Sequence, residues 1–543
     1  MAENILQWLE QAGGLYDAEA IGIKDYSDVG MGWGAVALKD LEEDTALFTI
    51  PDKILLSACN SGLRNLVAEE DWDVLEENGG WASLMLSMMW EEAQGEASRW
   101  SGYIKALPNT FQTPMFWTDE QIQELKGTDI VDKIGRQSAE DTYNQKIKPI
   151  LQKYPDVFKR NASLSVQPFS LEHFHIQGSR ILSRSFSVPS SRAGRKKNGR
   201  QEAGAGDTSM QTDGDVSMHT DEGEKTLDLG DQTLETVNDE NEDEPEEEED
   251  EEDDEDAEEE VMVPVADMLN AAYERDNARL FHEDDCLKMV TTKAIAKGDQ
   301  IFNTYGSPSN SYLLRKYGHV DVYPLPEETL SKLPEELRIW PNGNEGDEVE
   351  ITGEVVLDAA VQVWAAGSKT AEEQEKYKAE LGERVDWWLE AGEEDTFVLT
   401  YPPDEIPEAV IGFARLLIDQ EAWEKARDKD KVPKPKIEQT ATGVKVIEVL
   451  LESIKLRRTQ YPQSLSDDLA ALSSQDKDSQ DLYNHMARVV RTGEARVLAV
   501  DETILMEQKS ELEKKLATGG GKRKAESAPN QKGKKPKTRL KVA

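Results

Sequence analysis

The sequence holds only two cysteines in 543 residues, Cys59 and Cys286, far apart in the chain. A disulfide framework or a four-thiolate zinc site needs more thiols, so both are excluded, and the scarcity fits a reducing compartment. No apolar run approaches the roughly 18 residues of a membrane span. The N-terminus, MAENILQWLEQAGG, carries acids where a secretory leader has a basic stretch before an apolar one. A soluble intracellular protein with no membrane contact is expected. Basic residues are also short, with 62 Lys and Arg against 109 Asp and Glu for a net charge of −47. Nineteen of those acids lie between Asp239 and Glu260, and the remainder of the chain still carries −28. Such a body repels nucleic-acid phosphates and attracts basic proteins, so a basic protein partner is expected and no nucleic acid is required.

What is present is enough for more than one core. Residues 1–20 have the pattern of a short helix with Ile5, Leu6 and Leu9 on one face, stopped by Gly13-Gly14. A glycine-punctuated strand pair follows over 21–59, with its turn at Gly30 to Gly34 and its next strand over Asp44 to Pro51. Residues 60–187 are helical in pattern. Leu84, Leu86, Met88 and Met89, between Trp81 and Trp90, have the spacing of a helix core. Residues 188–260 lack the apolar content to offset their ordering entropy and are expected to be disordered. The acidic run there is a solvating segment or a tether for basic substrates. Residues 261–323 return to strand and turn patterns, and 345–516 show helical recurrence, as in Val444–Leu456 and Tyr483–Leu498. Residues 517–543 form a basic tail expected to be disordered, with Lys522-Arg523-Lys524 and Lys534-Lys535-Pro536-Lys537. That spacing fits a bipartite import signal gripped by an import receptor, which would place the protein in the nucleus, with the cytoplasm also possible. A nucleic-acid-binding tail and docking on the protein's own acidic insert remain alternatives.

The stretch from Val261 to Val320 organises the rest. Its apolar run ends in Asp267-Met268-Leu269-Asn270, and Phe302-Asn303-Thr304-Tyr305-Gly306 is followed by Tyr317-Gly318. In this order and spacing they resemble the C-terminal half of a SET domain, the fold of S-adenosylmethionine-dependent protein-lysine methyltransferases. Gly32-Trp33-Gly34 resembles that family's cofactor loop, although a lone Gly-x-Gly is also a plain turn. Ser183-Arg184-Ser185-Phe186 and Trp100-x-x-Tyr103 with Leu107-Pro108 resemble motifs of the Rubisco-methyltransferase-like branch. Tyr461-Pro-x-Ser-Leu-x-x-Asp-Leu469 and Val490-Arg-x-Gly-Glu494 resemble that branch's substrate-binding domain. The resemblance implies an α+β fold. A SET β-fold with a knot-like crossing and a helical insert would precede an all-α C-terminal domain that presents substrate and performs no chemistry. It implies S-adenosyl-L-methionine as cofactor and no metal. Tyr305 would stand at the transferring methyl. Gly32, Trp33, Gly34, Arg184, Asn270, Ala271, Tyr305 and Tyr317 would bind the cofactor, Arg184 by pairing with its carboxylate and Tyr317 by packing at the adenine. For Arg184 a surface position at a helix end is the alternative, and for Tyr305 and Tyr317 a buried aromatic pair.

Within the branch, the chain is similar both to members acting on large-subunit ribosomal proteins and to members acting on nuclear signalling proteins. A lysine of a ribosomal protein is therefore the expected substrate, methylated by a monomer. A nuclear non-ribosomal protein or histone, or a non-catalytic acidic chaperone, is the alternative. One departure stands out: many SET proteins read Asn-His where this chain reads Asn270-Ala271, leaving only the backbone of residue 271 to meet adenine. No cysteine-rich segment follows the motif.

Overall fold

The computed structural model describes residues 4–77, 80–159, 167–189, 214–216, 258–283, 285–366, 369–400, 406–474 and 481–519. The chain divides into two compact units. The first comprises Met1–Pro324, Asn342–Gly346 and Asp476–Val490, and the second Leu325–Pro341, Asp347–Gln475 and Arg491 onward.

The first unit opens with the helix Ile5–Ala12, which buries Ile5, Leu6 and Leu9 and ends where Gly13 turns left-handed at φ +102°. The chain does not stay helical to residue 19. Leu15–Tyr16 is strand β1, pairing with Thr49 and Phe48. Strands β2 (Ile21–Asp25) and β3 (Trp33–Ala37) pair antiparallel, and β4 is Ala46–Pro51. Their partners come from the far end of the unit, after β5 (Ser185–Pro189), β6 (Gly214–Val216) and β7 (Glu258–Met262). Strands β8 (Ala278–Glu283) and β9 (Cys286–Thr291) form a hairpin whose β9 edge takes β4, giving the order β1-β4-β9-β8-β6. Strand β10 (Gln300–Ile301) joins β3 in a second sheet, β10-β3-β2. Asn270 and Phe302 then bridge in parallel, with the Asn303 N–H on the Asn270 carbonyl at 3.0 Å. These are the two segments that the expected knot-like crossing would lay side by side.

The helical stretch belongs to the same unit. The helix Trp81–Gln94 starts after Gly80, at φ +75°, and buries Ala82 through Met89 on every side, so the methionine stripe is core. It packs against Leu171–Arg184, whose N-cap Ser170 accepts from the His173 N–H. Between these helices lies a buried polar knot. Arg180 donates to Glu92 at 2.7 Å, to the Pro108 carbonyl at 2.9 Å and to Asn109 at 2.7 Å, while Glu92 also meets His173 at 3.0 Å. Burial alone would raise the Glu92 carboxyl, but the His173 hydrogen bond and the Arg180 charge outweigh it and hold the group near about 2. Trp100 is buried and donates from Nε1 to the Ile54 carbonyl at 2.8 Å, which explains the Trp of Trp-x-x-Tyr as a tie between helices and sheet.

The low-complexity insert meets the fold sooner than composition predicts. Its boundary residues Val188 and Pro189 pair with Glu259 and Glu258 as the last rungs of the β5–β7 ladder, and Gly214–Val216 pairs with β8. A ladder that brings the two ends of an insertion together lets the loop leave and re-enter at one point of the surface. The remaining residues, 190–213 and 217–257, lie outside the described residues, as does the basic tail beyond residue 519.

The second unit is built on helices, chiefly Gly353–Ala365, Ala371–Glu390, Glu408–Ile418 and Ala441–Arg458. It also has one antiparallel pair, Glu348–Thr352 with Thr396–Thr400, where strict alternation buries Val349, Ile351, Phe397 and Leu399. The two C-terminal motifs meet here. Arg491 grips Asp468 at 2.8 and 2.6 Å, and Tyr461 donates to Glu494 at 2.8 Å, with Arg457 on the same carboxylate at 3.2 Å. Gly493 has no room for a side chain, since a Cβ would stand 2.2 Å from Asp347 Oδ2. Arg491–Asp468 and Arg457–Glu494 are buried ion pairs that hold the helices in register, with Tyr461 joined to the second by its hydrogen bond.

Candidate active site

The site grows from the junction of β3, the Asp267–Asn270 segment and the chain after β10. Gly32 needs glycine for conformation, with φ +65° and open space where a Cβ would be. Gly34 needs it for proximity, because a Cβ would lie 2.6 Å from Asn270 Nδ2 and 2.5 Å from Gln300 Nε2. Asn270 reaches over that gap and donates weakly to the Trp33 carbonyl at 3.4 Å. Gly32, Trp33, Gly34 and Asn270 are thereby brought together. Close by, the Gln300 Nε2 and the Tyr26 hydroxyl are buried without a hydrogen-bond partner.

Tyr305 follows β10 and donates its hydroxyl to the Leu269 carbonyl at 3.2 Å. Its ring stacks on Tyr317, with centroids 4.7 Å apart and planes 7° from parallel. Tyr317 ends the helix Asn310–Tyr317, which Ser309 caps and left-handed Gly318 closes. Desolvation pushes the Tyr305 phenol up to about 12 against a partial offset from Arg184, and burial raises Tyr317 as well. Both rings are therefore neutral at pH 7, which makes Tyr305 a fixed hydrogen-bond donor rather than a base.

Arg184, at the end of its helix, donates to the Asp267 carbonyl at 2.5 Å and stands 3.9 Å from that residue's carboxylate. The Asp267 carboxylate is wholly buried, receives the Tyr103 hydroxyl at 2.9 Å on Oδ2 and leaves Oδ1 unpaired. Burial pushes its ionisation up to about 6, against the opposing charge of Arg184. Two residues before it, Val265 adopts φ +77° although β-branched and completely buried, a conformation that costs about 1–3 kcal/mol.

Ala271 lies in an open cleft of about 490 Å³ with Thr304, Tyr305, His319, Tyr323 and Asn344. Tyr273 and Tyr323 stack at 3.8 Å on its rim. Tyr317 packs behind Tyr305 and does not line this cleft, whereas His319, two residues on, does. Sequence reasoning gave no role to Tyr103, Asp267 or His319. For Asp267 a signal existed, since an acid inside Val-Pro-Val-Ala-Asp-Met-Leu is an acid in a core segment.

The sequence matches the SET domain family over residues 32–306 and the Rubisco LSMT substrate-binding family over residues 372–498. Ribosomal lysine N-methyltransferase 4 of Saccharomyces cerevisiae is 30% identical over 322 residues, 59% of this chain and 55% of that protein. The chain thus spans little more than half the length of that relative. N-lysine methyltransferase SETD6 of Homo sapiens is 26% identical over 462 residues, 82% of this chain and 78% of that one. The structure of Rubisco LSMT bound to AdoMet shares the fold, with a TM-score of 0.57 at 16% identity over 95% of this chain and 93% of that one. With the family match covering half of its length and the crossing, the glycine loop and the Tyr305 motif assembled at one place, this chain belongs to the SET-domain family.

Proposed function

We propose that the protein transfers a methyl group from S-adenosyl-L-methionine to a lysine of a basic protein. The observation that carries this is Tyr305, held neutral with its hydroxyl fixed on the Leu269 carbonyl and its ring locked on Tyr317. The residues present fit the cofactor. Arg184 offers a planar cation for a carboxylate, Asn270, Gln300 and Tyr26 offer polar atoms around Gly34, and Gly32 leaves open space in front of the loop. Bound there, the cofactor supplies an electrophilic methyl on a sulfonium.

The rest falls to the chain. A lysine amine must lose a proton, which at pH 7 costs about 4.6 kcal/mol from its ordinary pKa of about 10.4. Desolvation of the amine beside Tyr305 disfavours the charged ammonium, and water in the open cleft takes the proton. The Tyr305 hydroxyl and the Leu269 carbonyl then orient the neutral amine for in-line displacement, a task of positioning more than of base strength. No base at the reacting centre is required.

The finer proposal is a large-subunit ribosomal protein as substrate, supported by the name of the yeast relative and by the net charge of −47. A non-ribosomal protein is the second reading, favoured because SETD6, named an N-lysine methyltransferase with no ribosomal substrate specified, aligns over 82% of this chain. Import through the basic clusters at 522–524 and 534–537 would serve either, and action as a monomer is part of the proposal. Incubation of the protein with methyl-labelled cofactor and ribosomal extract, followed by mass spectrometry, tests it. Label on a ribosomal lysine is expected. No transfer to any protein, together with no heat on cofactor titration, would leave a non-catalytic acidic binding protein.

A further inference from the structure

Asp267 is a buried acid beside the proposed reacting centre with one of its two oxygens idle. Its side chain is wholly buried, Oδ2 takes the Tyr103 hydroxyl at 2.9 Å, and Oδ1 has no hydrogen-bond partner. Buried charges are ordinarily held by a cation in contact, yet the Arg184 guanidinium stands 3.9 Å from Oδ2. Among the described residues Arg184 makes one hydrogen bond, and it goes to the Asp267 carbonyl rather than to the carboxylate. Its other N–H groups are those proposed above for the carboxylate of the cofactor.

Few groups face the Asp267 carboxylate. The helical stretch supplies Arg184 and Tyr103, and the chain after β10 supplies Tyr305. Arg180, one turn before Arg184, is already paired with Glu92 at 2.7 Å. Strand β3, which packs on the same segment, carries no titratable side chain. Burial raises the Tyr305 phenol, and the charge of Asp267 pushes it in the same direction. The field of this carboxylate therefore extends to the hydroxyl placed at the transferring methyl.

The methyl donor and its product differ by one positive charge. Both carry the same carboxylate and amine, but the donor has a sulfonium where S-adenosylhomocysteine has a neutral thioether. On transfer the sulfur–methyl bond breaks with its electron pair left on sulfur, a nitrogen–methyl bond forms from the amine lone pair, and the positive charge departs with the lysine. An anion within electrostatic reach of that place holds the two ligands unequally.

We propose that Asp267 is the residue by which the site distinguishes methyl donor from product: ionised, its carboxylate is the countercharge of the sulfonium, and with the product bound it takes up a proton from water. The inference rests on the placement of the cofactor at Arg184 and Tyr305 proposed above. Burial pushes the ionisation of this carboxyl up to about 6, so both of its states are populated near neutral pH.

Calorimetric titration of the full-length protein with S-adenosyl-L-methionine and with S-adenosylhomocysteine, from pH 5 to pH 7, tests it. The amine common to both ligands stays largely protonated over this range, so a change in the ratio of their dissociation constants reports on the protein. The ratio of product Kd to donor Kd should rise by at least about threefold as Asp267 ionises. In Asp267→Asn it should stay constant. Repeating the titrations in two buffers of different ionisation enthalpy counts protons: product binding should take up more of a proton than donor binding, and in Asp267→Asn this difference should vanish. Tyr103→Phe removes the hydrogen bond to the carboxylate and should move the midpoint of the ratio to higher pH, a shift that a purely structural role would not produce. That variant decides should Asp267→Asn fail to fold. A ratio independent of pH in the wild type, the same pH dependence in Asp267→Asn, or an unmoved midpoint in Tyr103→Phe overturns the inference. Failure of the wild type to bind either ligand overturns the proposed function, and the inference with it.

Discussion

The hydroxyl of Tyr103 donates to Oδ2 of Asp267 at 2.9 Å across 164 positions of sequence. It ties the helical stretch to the segment that presents the Leu269 carbonyl and Asn270. Tyr103→Phe should leave that carboxylate with neither oxygen fully satisfied, lower stability by about 1–3 kcal/mol in urea unfolding, and raise the Asp267 ionisation further. Unchanged stability would show that the bond contributes nothing net.

Asp267 itself makes stability depend on pH. Its carboxyl ionises near 6 in the folded protein against a reference of 3.8. Between those values the folded state keeps a proton that the unfolded state has released, so stability falls as pH rises through this window and levels off above it. Two units correspond to about 3 kcal/mol. In Asp267→Asn this slope should be missing, and the stability gap between wild type and variant should move by up to that amount in the variant's favour from pH 4 to pH 7. Parallel pH profiles would assign the effect to another group.

Tyr305 and Arg184 should fail differently. Tyr305→Phe removes the hydroxyl proposed to orient the amine beside the Leu269 carbonyl and should lower kcat by about 10²-fold with cofactor binding nearly intact. Arg184→Ala removes the cation proposed to pair with the cofactor carboxylate and should weaken cofactor binding by roughly 10- to 100-fold. Single-turnover rates and calorimetric titration separate the two, and full turnover in Tyr305→Phe would remove it from the chemistry.

Gly34→Ala places a methyl 2.6 Å from Asn270 Nδ2 and 2.5 Å from Gln300 Nε2. Asn270 must swing off the Trp33 carbonyl, so a stability loss of about 1–3 kcal/mol with weakened cofactor binding is expected. Gly32→Ala meets no atom and should act through its positive φ alone, and a larger loss there than at Gly34 would contradict the geometry.

Joining Pro189 to Glu258 through Asn-Gly should preserve the fold, because these two residues already face each other across the ladder. The deletion also removes the three-residue edge strand β6, so a small fall in the thermal midpoint is expected with the rest of the fold kept. Loss of cooperative unfolding would show that the intervening residues support the body beyond that edge.

Local signals made much of this visible in the sequence. The spacing of Asp267, Asn270, Tyr305 and Tyr317 announced the SET crossing, and the apolar run Leu84–Met89 announced a buried helix. What stayed hidden depends on distance. Nothing near Tyr103 says that it will meet Asp267, and nothing near Gly493 says that Asp347 will press against it. The Tyr-Pro and Val-Arg motifs lie within the residues matched by the Rubisco LSMT substrate-binding family. The structure adds their packing role, because each half supplies the countercharge that the other buries. Tyr317 stacks on Tyr305, and His319, beyond the turn at Gly318, lines the cleft at Ala271, a contact that nothing in the local sequence announces.

The pairing of β3 with β10 joins Ala35 to Ile301, and that of β4 with β9 joins Phe48 to Met289. A ribosome adding about 5–20 residues per second needs roughly 13–53 s to travel from the first of those partners to the last. During that interval β3 and β4 have only β2 and β1 beside them and their other edges have no strand to lie against, while the helices between can already form from local contacts. The nascent chain therefore passes through a period in which two short strand pairs each expose an open edge. Chaperone occupancy of the first fifty residues, followed by ribosome-linked crosslinking, should persist until residue 301 has cleared the exit tunnel.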